Sequence, residues 1–253
     1  MSQISVDRSG AVMTITITHP PVNAISPDVL DALGAAVASA AADPAIRAVV
    51  VAGTEAVFAA GADLPAFAAR GQAPAAAIHA GVAVLDQLEA LPKPVIAAVE
   101  GLCLGGGMEL ALAADLRVAS ARTRFAQPEV TLGIIPGWNG TRRLPRLIGV
   151  GPALDLILTG EAIDGDRALA LGLVQRLAPD GEVTATAQNL ARQLAHNAPA
   201  ALAHAKQLVR SWHESGAAER EAAAIVALLG TPDAAEGLQA FLEKRRPRFG
   251  PEA

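Results

Sequence analysis

The residues with most chemical potential gather around one glycine run. Strand-like Val95–Val99 is followed by Glu100-Gly101-Leu102-Cys103-Leu104 and then by Gly105-Gly106-Gly107-Met108-Glu109, where a helical pattern begins. Consecutive glycines ahead of a helix expose backbone N–H groups at its positive end, which suits a phosphate or a developing oxyanion. The same run also works as a turn or close-packing device, and the sequence leaves both uses open. Its glycines are contiguous, so it matches neither the G-x-G-x-x-G fingerprint nor a phosphate loop with its lysine. Glu109 lies in the first helical turn, and Glu129 follows Gln127-Pro128 in a turn-rich stretch. Each has a plain reading: helix-dipole stabilisation for the first, a surface position for the second. If both face one small-residue pocket, burial and mutual repulsion separate their pKa values and let them divide acid and base work.

Other candidates carry less. His19, His79, His196, His204 and His213 form no H-E-x-x-H or tight His/Cys grouping, so no metal site is expected. Ser9, Ser26 and Ser120 lack the G-x-S-x-G setting of a hydrolase nucleophile. The single cysteine, Cys103, cannot form an intrachain disulfide, and its apolar neighbours suit a buried thiol in a reducing compartment. Trp138, between Gly137 and Asn139, reads equally as pocket wall or core anchor. The run Glu243-Lys244-Arg245-Arg246-Pro247-Arg248 reads as a solvated helix end whose charge also suits phosphates.

Positioning these groups requires an α/β core. Ile4–Asp7 and Val12–Thr18 read as strands joined by Arg8-Ser9-Gly10, the second with Met13, Ile15 and Ile17 alternating against threonines. Ser26-Pro27-Asp28 caps a helix running to Ala42, Arg47–Ala52 is a strand, and Phe58–Asp63 reads as a loop that lets a ligand approach the backbone. A helix from Pro74 to Ala90 precedes Val95–Val99; Leu116–Ala119 and Thr123–Ala126 are short strands, and Leu173–Arg176 is extended. Helices are expected near Thr141–Leu147, Gly151–Leu158 and Asp164–Leu171, and from Val183 onward the pattern is nearly all helical, with Gly216 and Gly230 closing helices. The division is therefore an α/β core over 1–180 and a helical C-terminal region over 181–253.

Composition narrows the classes further. Of 253 residues, 52% are hydrophobic but only 3% aromatic, which argues against disorder and against base-stacking platforms. Lysine and arginine total 20 against 25 acidic residues, a charge of −5, so no broad nucleic-acid face is expected. The N-terminus lacks a basic-then-apolar signal pattern and no apolar stretch reaches spanning length, so a cytoplasmic protein with no membrane partner is expected.

Taken in order, Phe58-Ala59-Ala60-Gly61-Ala62-Asp63, Lys93-Pro94-Val95-Ile96-Ala97-Ala98-Val99, Gly105-Gly106-Gly107-Met108-Glu109-Leu110 and Gln127-Pro128-Glu129 resemble the enoyl-CoA hydratase/isomerase family, the crotonase superfamily. The likeness continues through Leu132–Gly137, Leu158-Thr159-Gly160 and Ala170–Val174 to Phe241-Leu242-Glu243-Lys244-Arg245, essentially the whole chain. It implies a crotonase-like spiral of β-β-α units with a helical C-terminal trimerisation region, assembled as a homotrimer or a dimer of trimers. By the same likeness, the N–H groups of Ala62 and Gly106 form an oxyanion hole, and Glu109 and Glu129 act on the water and on C2 of a trans-2-enoyl-CoA. Ala60, Ala62, Asp63 and Leu64 lie near coenzyme A, and Phe241 and Lys244 bind it from an adjacent subunit. Coenzyme A is part of the substrate, and no separate cofactor is implied. Two departures stand out: Glu100 replaces the asparagine usual before the glycine, and Trp138 and Asn139 occupy a substrate-pocket loop that is often mostly glycine. The expected reaction is hydration to a 3-hydroxyacyl-CoA; double-bond isomerisation and a non-catalytic acyl-CoA- or RNA-binding scaffold are the alternatives.

Overall fold

The alternation in the first two strands sets both faces of the main sheet. In a computed structural model that describes residues 3–71 and 73–250, β1 (Ile4–Ser9) and β2 (Val12–Ile17) pair antiparallel, with Ile4 opposite Ile17. The ends of both expected regions, 1–2 and 251–253, lie outside the described residues. Met13, Ile15 and Ile17 enter the main core while Val12 faces the opposite side. Ser26 caps α1 (Pro27–Ala42), its hydroxyl accepting from Val29 N at 3.2 Å, as the Ser-Pro-Asp signal requires.

Three times the chain then runs strand, strand, helix. The first unit is β3 (Ala48–Ala52), β4 (Val57–Ala59), α2 (Leu64–Ala69) and α3 (Pro74–Ala90). The second is β5 (Val95–Val99), β6 (Leu102–Leu104) and α4 (Gly106–Ala113). The third is β7 (Leu116–Ala119), β8 (Arg124–Ala126), a 3-10 turn over Pro128–Leu132, α5 (Gly140–Ile148) and α6 (Val150–Thr159). β9 (Ile163–Asp164), α7 (Gly165–Ala170) and β10 (Arg176–Leu177) close the core. First strands join a six-stranded sheet, order β1-β2-β3-β5-β7-β10, and second strands a four-stranded sheet, order β4-β6-β8-β9. Apart from the β1–β2 and β8–β9 pairs all neighbours are parallel. The corner between β5 and β6 needs glycine: Gly101 has φ 68°, and a Cβ there would stand 1.9 Å from the Ala56 carbonyl oxygen.

The structure adds β4, β6, β9, α2 and the 3-10 turn to the elements expected. β4 and β6 have three residues and β9 two, too few for an alternation to stand out, and α2 is a helix of six residues capped by Asp63, the last residue of what reads as a ligand loop.

The large sheet is covered on both faces. Val49 and Val51 enter the main core, while Ala48, Val50, Ile96 and Val118 meet Val183, Ala187, Leu190 and Ala191 of α8 (Val183–Ala195). The start of the C-terminal region is thus part of the sheet's own packing. α9 (Pro199–Arg210), α10 (Ala217–Leu229) and α11 (Pro232–Glu243) follow, α10 packing on α9 and α11 on α10. Gly216 does not close a helix: α9 ends at Arg210, and Gly216, at φ 74°, begins α10. Val209, Val226, Leu238 and Phe241 are left exposed on these helices, and Trp212 in the turn between α9 and α10. Among the described residues no helix is long and apolar enough to cross a membrane.

Candidate active site

Buried Asn23 shapes the loop beside β4. Its amide donates to the Val57 carbonyl at 2.7 Å while its own oxygen accepts from His19 N at 2.8 Å. The chain then bridges Ile25 to Ala62 through Ile25 N to Gly61 O (2.8 Å) and Asp63 N to Ile25 O (3.0 Å). This bridge leaves the N–H of Ala62 outside the ladder. Gly106 is the first residue of α4, so its N–H has no intrahelical acceptor. The two groups are neighbours: a Cβ on Gly106 would lie 3.2 Å from the Ala62 nitrogen and 2.8 Å from the Trp138 ring. Only glycine leaves that space free, and two N–H groups bordering it can hold one oxyanion. The far end of α4 is also charge-matched, with Arg117 donating to the Ala111 and Ala114 carbonyls at 3.2 and 3.0 Å.

Both glutamates are buried beside this space. Glu109, one helical turn into α4, accepts from Trp138 N and Gly140 N, each 2.7 Å from Oε1. Among the described residues no hydrogen bond occupies its Oε2. Burial pushes the Glu109 carboxyl up to about 7; the Glu129 charge adds to this, while the Gly140 and Trp138 N–H groups and Arg143 oppose it. Glu129, in the 3-10 turn, is also held above the usual carboxylate range by burial. Its Oε1 stands 3.0 Å from where a Cβ on Gly105 would lie, so the glycine run admits this carboxylate too. The fully buried Gln127, with its amide nitrogen turned toward Glu129, donates to both carboxylate oxygens at 3.1 Å. Gln127 is visible in sequence only as part of a motif; its task of orienting Glu129 needs the fold.

Trp138 is a core anchor that also reaches the glycine run. It is 4% exposed, packs edge-on against Phe67 with ring centroids 6.4 Å apart, and also borders Gly106. Its indole fills a notch at Gly81 of α3, where a Cβ would stand 2.0 Å from the ring nitrogen. Asn139 adopts φ 71° and turns its amide toward Asp86 of α3, away from the glutamates. Glu100 also points elsewhere, accepting from Gly181 N ahead of α8.

The expected coenzyme A residues fall in two places. Ala60, Ala62, Asp63 and Leu64 follow β4; Ala60 N donates to Val22 O at 3.1 Å and Asp63 caps α2 by accepting from Ala66 N at 3.0 Å. A groove of about 250 Å³ beside them is lined by His19, Ser26, Asp28, Asp63 and Arg70, among others. Phe241, 81% exposed, and Lys244, at φ 54°, sit at the end of α11, which packs on α10. In the basic terminal run, Arg245 is already paired with Glu236 and Glu243. Cys103 is fully buried, which pushes its thiol up and keeps it protonated. Among the described residues no His, Cys, Asp and Glu cluster is set to hold a metal ion.

A helix start whose Gly106 N–H has no intrahelical acceptor lies beside the Ala62 N–H and two buried carboxylates with raised pKa, an arrangement that can serve oxyanion stabilisation and proton transfer. The chain belongs to the enoyl-CoA hydratase/isomerase family, the crotonase superfamily, whose profile matches residues 7–252. It is 39% identical to a probable enoyl-CoA hydratase of Bacillus subtilis over 98% of this chain and 99% of that one. Identity to a carnitinyl-CoA dehydratase of Salmonella typhi is 40%, covering 96% and 97% of the two chains. The crystal structure of an enoyl-CoA hydratase from Bacillus anthracis superposes with a TM-score of 0.92 at 37% identity, over 98% of each chain. The spiral of β-β-α units is that of this superfamily.

Proposed function

We propose that the protein is an enoyl-CoA hydratase, adding water reversibly to a trans-2-enoyl-CoA to give a 3-hydroxyacyl-CoA. The observation that carries this reading is the presence of two buried carboxylates, Glu109 and Glu129, beside one pair of free N–H groups. In the forward direction the Ala62 and Gly106 N–H groups hold the thioester oxygen as charge develops on it. Glu109, anchored through Oε1, uses Oε2 to orient water and takes its proton as the oxygen bonds to C3. The resulting enolate is protonated at C2 by Glu129, and dehydration reverses the roles. The two carboxylates behave as a coupled pair, so proton exchange between them through solvent restores the starting state. A Glu109 carboxyl near neutrality suits a base and a raised Glu129 suits an acid.

Coenzyme A enters as part of the substrate, along Ala60–Leu64. The exposed apolar residues of α9–α11 support a homotrimer, alone or paired, in which Phe241 and Lys244 serve the site of an adjacent subunit. The buried lone thiol suits a reducing, cytoplasmic setting.

The test is an assay on crotonyl-CoA and longer trans-2-enoyl-CoAs, following loss of the conjugated thioester absorbance and identifying the product by mass. A product heavier by one water supports hydration, and an isomer of unchanged mass points to proton transfer between C2 and C4. No turnover at any chain length, with salt-dependent RNA binding, replaces the enzyme reading with a scaffold.

A further inference from the structure

Arg143 of α5 is nearly fully buried and is held on every side of its guanidinium. Nε donates to Glu89 Oε2 at 2.7 Å and Nη2 to Asp86 Oδ1 at 2.5 Å, both on α3, while Nη1 donates to the Trp138 carbonyl at 2.8 Å. The last contact matters because of what flanks it. The peptide N–H groups on either side of that carbonyl, of Trp138 and Gly140, both turn to Glu109 Oε1. The Trp138 and Gly140 N–H groups therefore face Glu109 while the Trp138 carbonyl turns to Arg143, and the Asn139 carbonyl accepts from Arg142 N and Arg143 N. A left-handed Asn139 makes that turn possible, and the cation fixes it.

The clamp extends beyond α5. Glu89 Oε1 also pairs with Arg210 of α9 at 2.5 Å; Arg210 reaches Asp115 Oδ1 at 2.8 Å, and Lys206 reaches Asp115 Oδ2 at 2.9 Å. Burying this many charges is costly unless each is paired, and here each of the inner ones is.

We propose that Arg143 is a positioning residue for the reaction, holding the Trp138 carbonyl back so that the Trp138 and Gly140 N–H groups anchor Glu109, with the Glu89–Arg210 pair tying this clamp to α9. The inference rests on the hydratase reading for its kinetic consequences alone. The charged groups around Glu109 are Glu129 from the 3-10 turn and Arg143 from α5. Those around Arg143 are Asp86 and Glu89 from α3 and Arg142 on its own helix, with Arg210, Asp115 and Lys206 behind them. Removing Arg143 releases the Trp138 carbonyl, which loosens the two N–H anchors, and withdraws a cation from Glu109, so the carboxyl titrates at higher pH.

Three forms of the full-length protein decide this: wild type, Arg143→Gln and Arg143→Lys. Glu109 is titrated by infrared difference spectroscopy on 13C-glutamate protein with Glu109→Gln as the blank, and kcat and KM are measured against pH. In Arg143→Gln, the Glu109 titration and the acid limb of kcat move upward together, kcat falls about tenfold or more, and KM changes little. Arg143→Lys keeps the charge but cannot fork between three acceptors; it returns the titration toward wild type while kcat stays low. An unchanged Glu109 titration in Arg143→Gln overturns the inference, whatever happens to turnover. If Arg143→Gln does not fold, a wild-type kcat in Arg143→Lys overturns it instead. Failure of the wild type to hydrate any enoyl thioester removes the proposed function, and the infrared titration then still decides the role of Arg143.

Discussion

The nitrogen of Gly140 stands 2.7 Å from Oε1 of Glu109, and the nitrogen of Trp138 stands at the same distance from the same oxygen. Two donors on one carboxylate oxygen fix its plane and leave the other oxygen to act. Replacing Glu109 by glutamine keeps an acceptor for both donors but removes the base, so turnover should fall about 10²–10⁴-fold with coenzyme A affinity retained. Glu129→Gln should lose a similar factor. Steady-state kinetics on crotonyl-CoA with a parallel coenzyme A titration checks both, and wild-type rates in both variants would remove these residues from the mechanism.

The rate should depend on pH near neutrality. With the Glu109 carboxyl at about 7, hydration rises as pH increases through that value because the base must be ionised. A kcat profile with no acid limb between pH 6 and 8 would place the essential base elsewhere.

The same carboxyl affects stability with a definite sign. Its folded pKa, about 7, exceeds the unfolded value of 4.5, so the folded state binds the proton more tightly and loses stability as pH rises from 4.5 through 7. Glu109→Gln lacks this loss. It should match wild type near pH 4.5 and exceed it by up to about 3 kcal/mol above pH 7, as read by denaturant unfolding at several pH values. A pH-independent difference would show that the charge is not the cause.

Gly106→Ala brings a methyl group to 3.2 Å from the Ala62 nitrogen and 2.8 Å from the Trp138 ring. With the space between the two donors filled, kcat should drop about 10²–10³-fold, the scale of a lost oxyanion donor. An active Gly106→Ala variant would mean that the thioester oxygen binds elsewhere.

Trp138 closes the space next to Gly106, so Trp138→Ala should shift the ratio of kcat/KM from four-carbon toward eight-carbon and longer enoyl thioesters. A chain-length panel on both proteins reads this directly. The buried ring also carries stability, and its loss should cost about 3–5 kcal/mol.

Much of this was legible in the order of residues. Ser26-Pro27 marks the start of α1, the alternating Met13, Ile15 and Ile17 mark the core face of β2, and the glycine run marks the start of α4. What stayed hidden is non-local. The strand β4 is too short for a pattern, and the polarity of Asn23 gains its meaning only from the Val57 carbonyl across the fold. Arg143, Glu89 and Asp86 look like ordinary charges on two amphipathic helices until α3 and α5 are set side by side. The left-handed backbone of Asn139 and its amide contact with Asp86 are likewise set by the fold around it.

The notch at Gly81 also restricts the order in which this sequence can change. A methyl group there would overlap the indole, at 2.0 Å from its nitrogen, so Gly81→Ala is disruptive while Trp138 is present, and a small residue at 138 removes that overlap. The two positions are epistatic, and the path from this pocket to a wider one runs through residue 138 first. A lineage that has filled position 81 cannot regain the tryptophan without reversing that step.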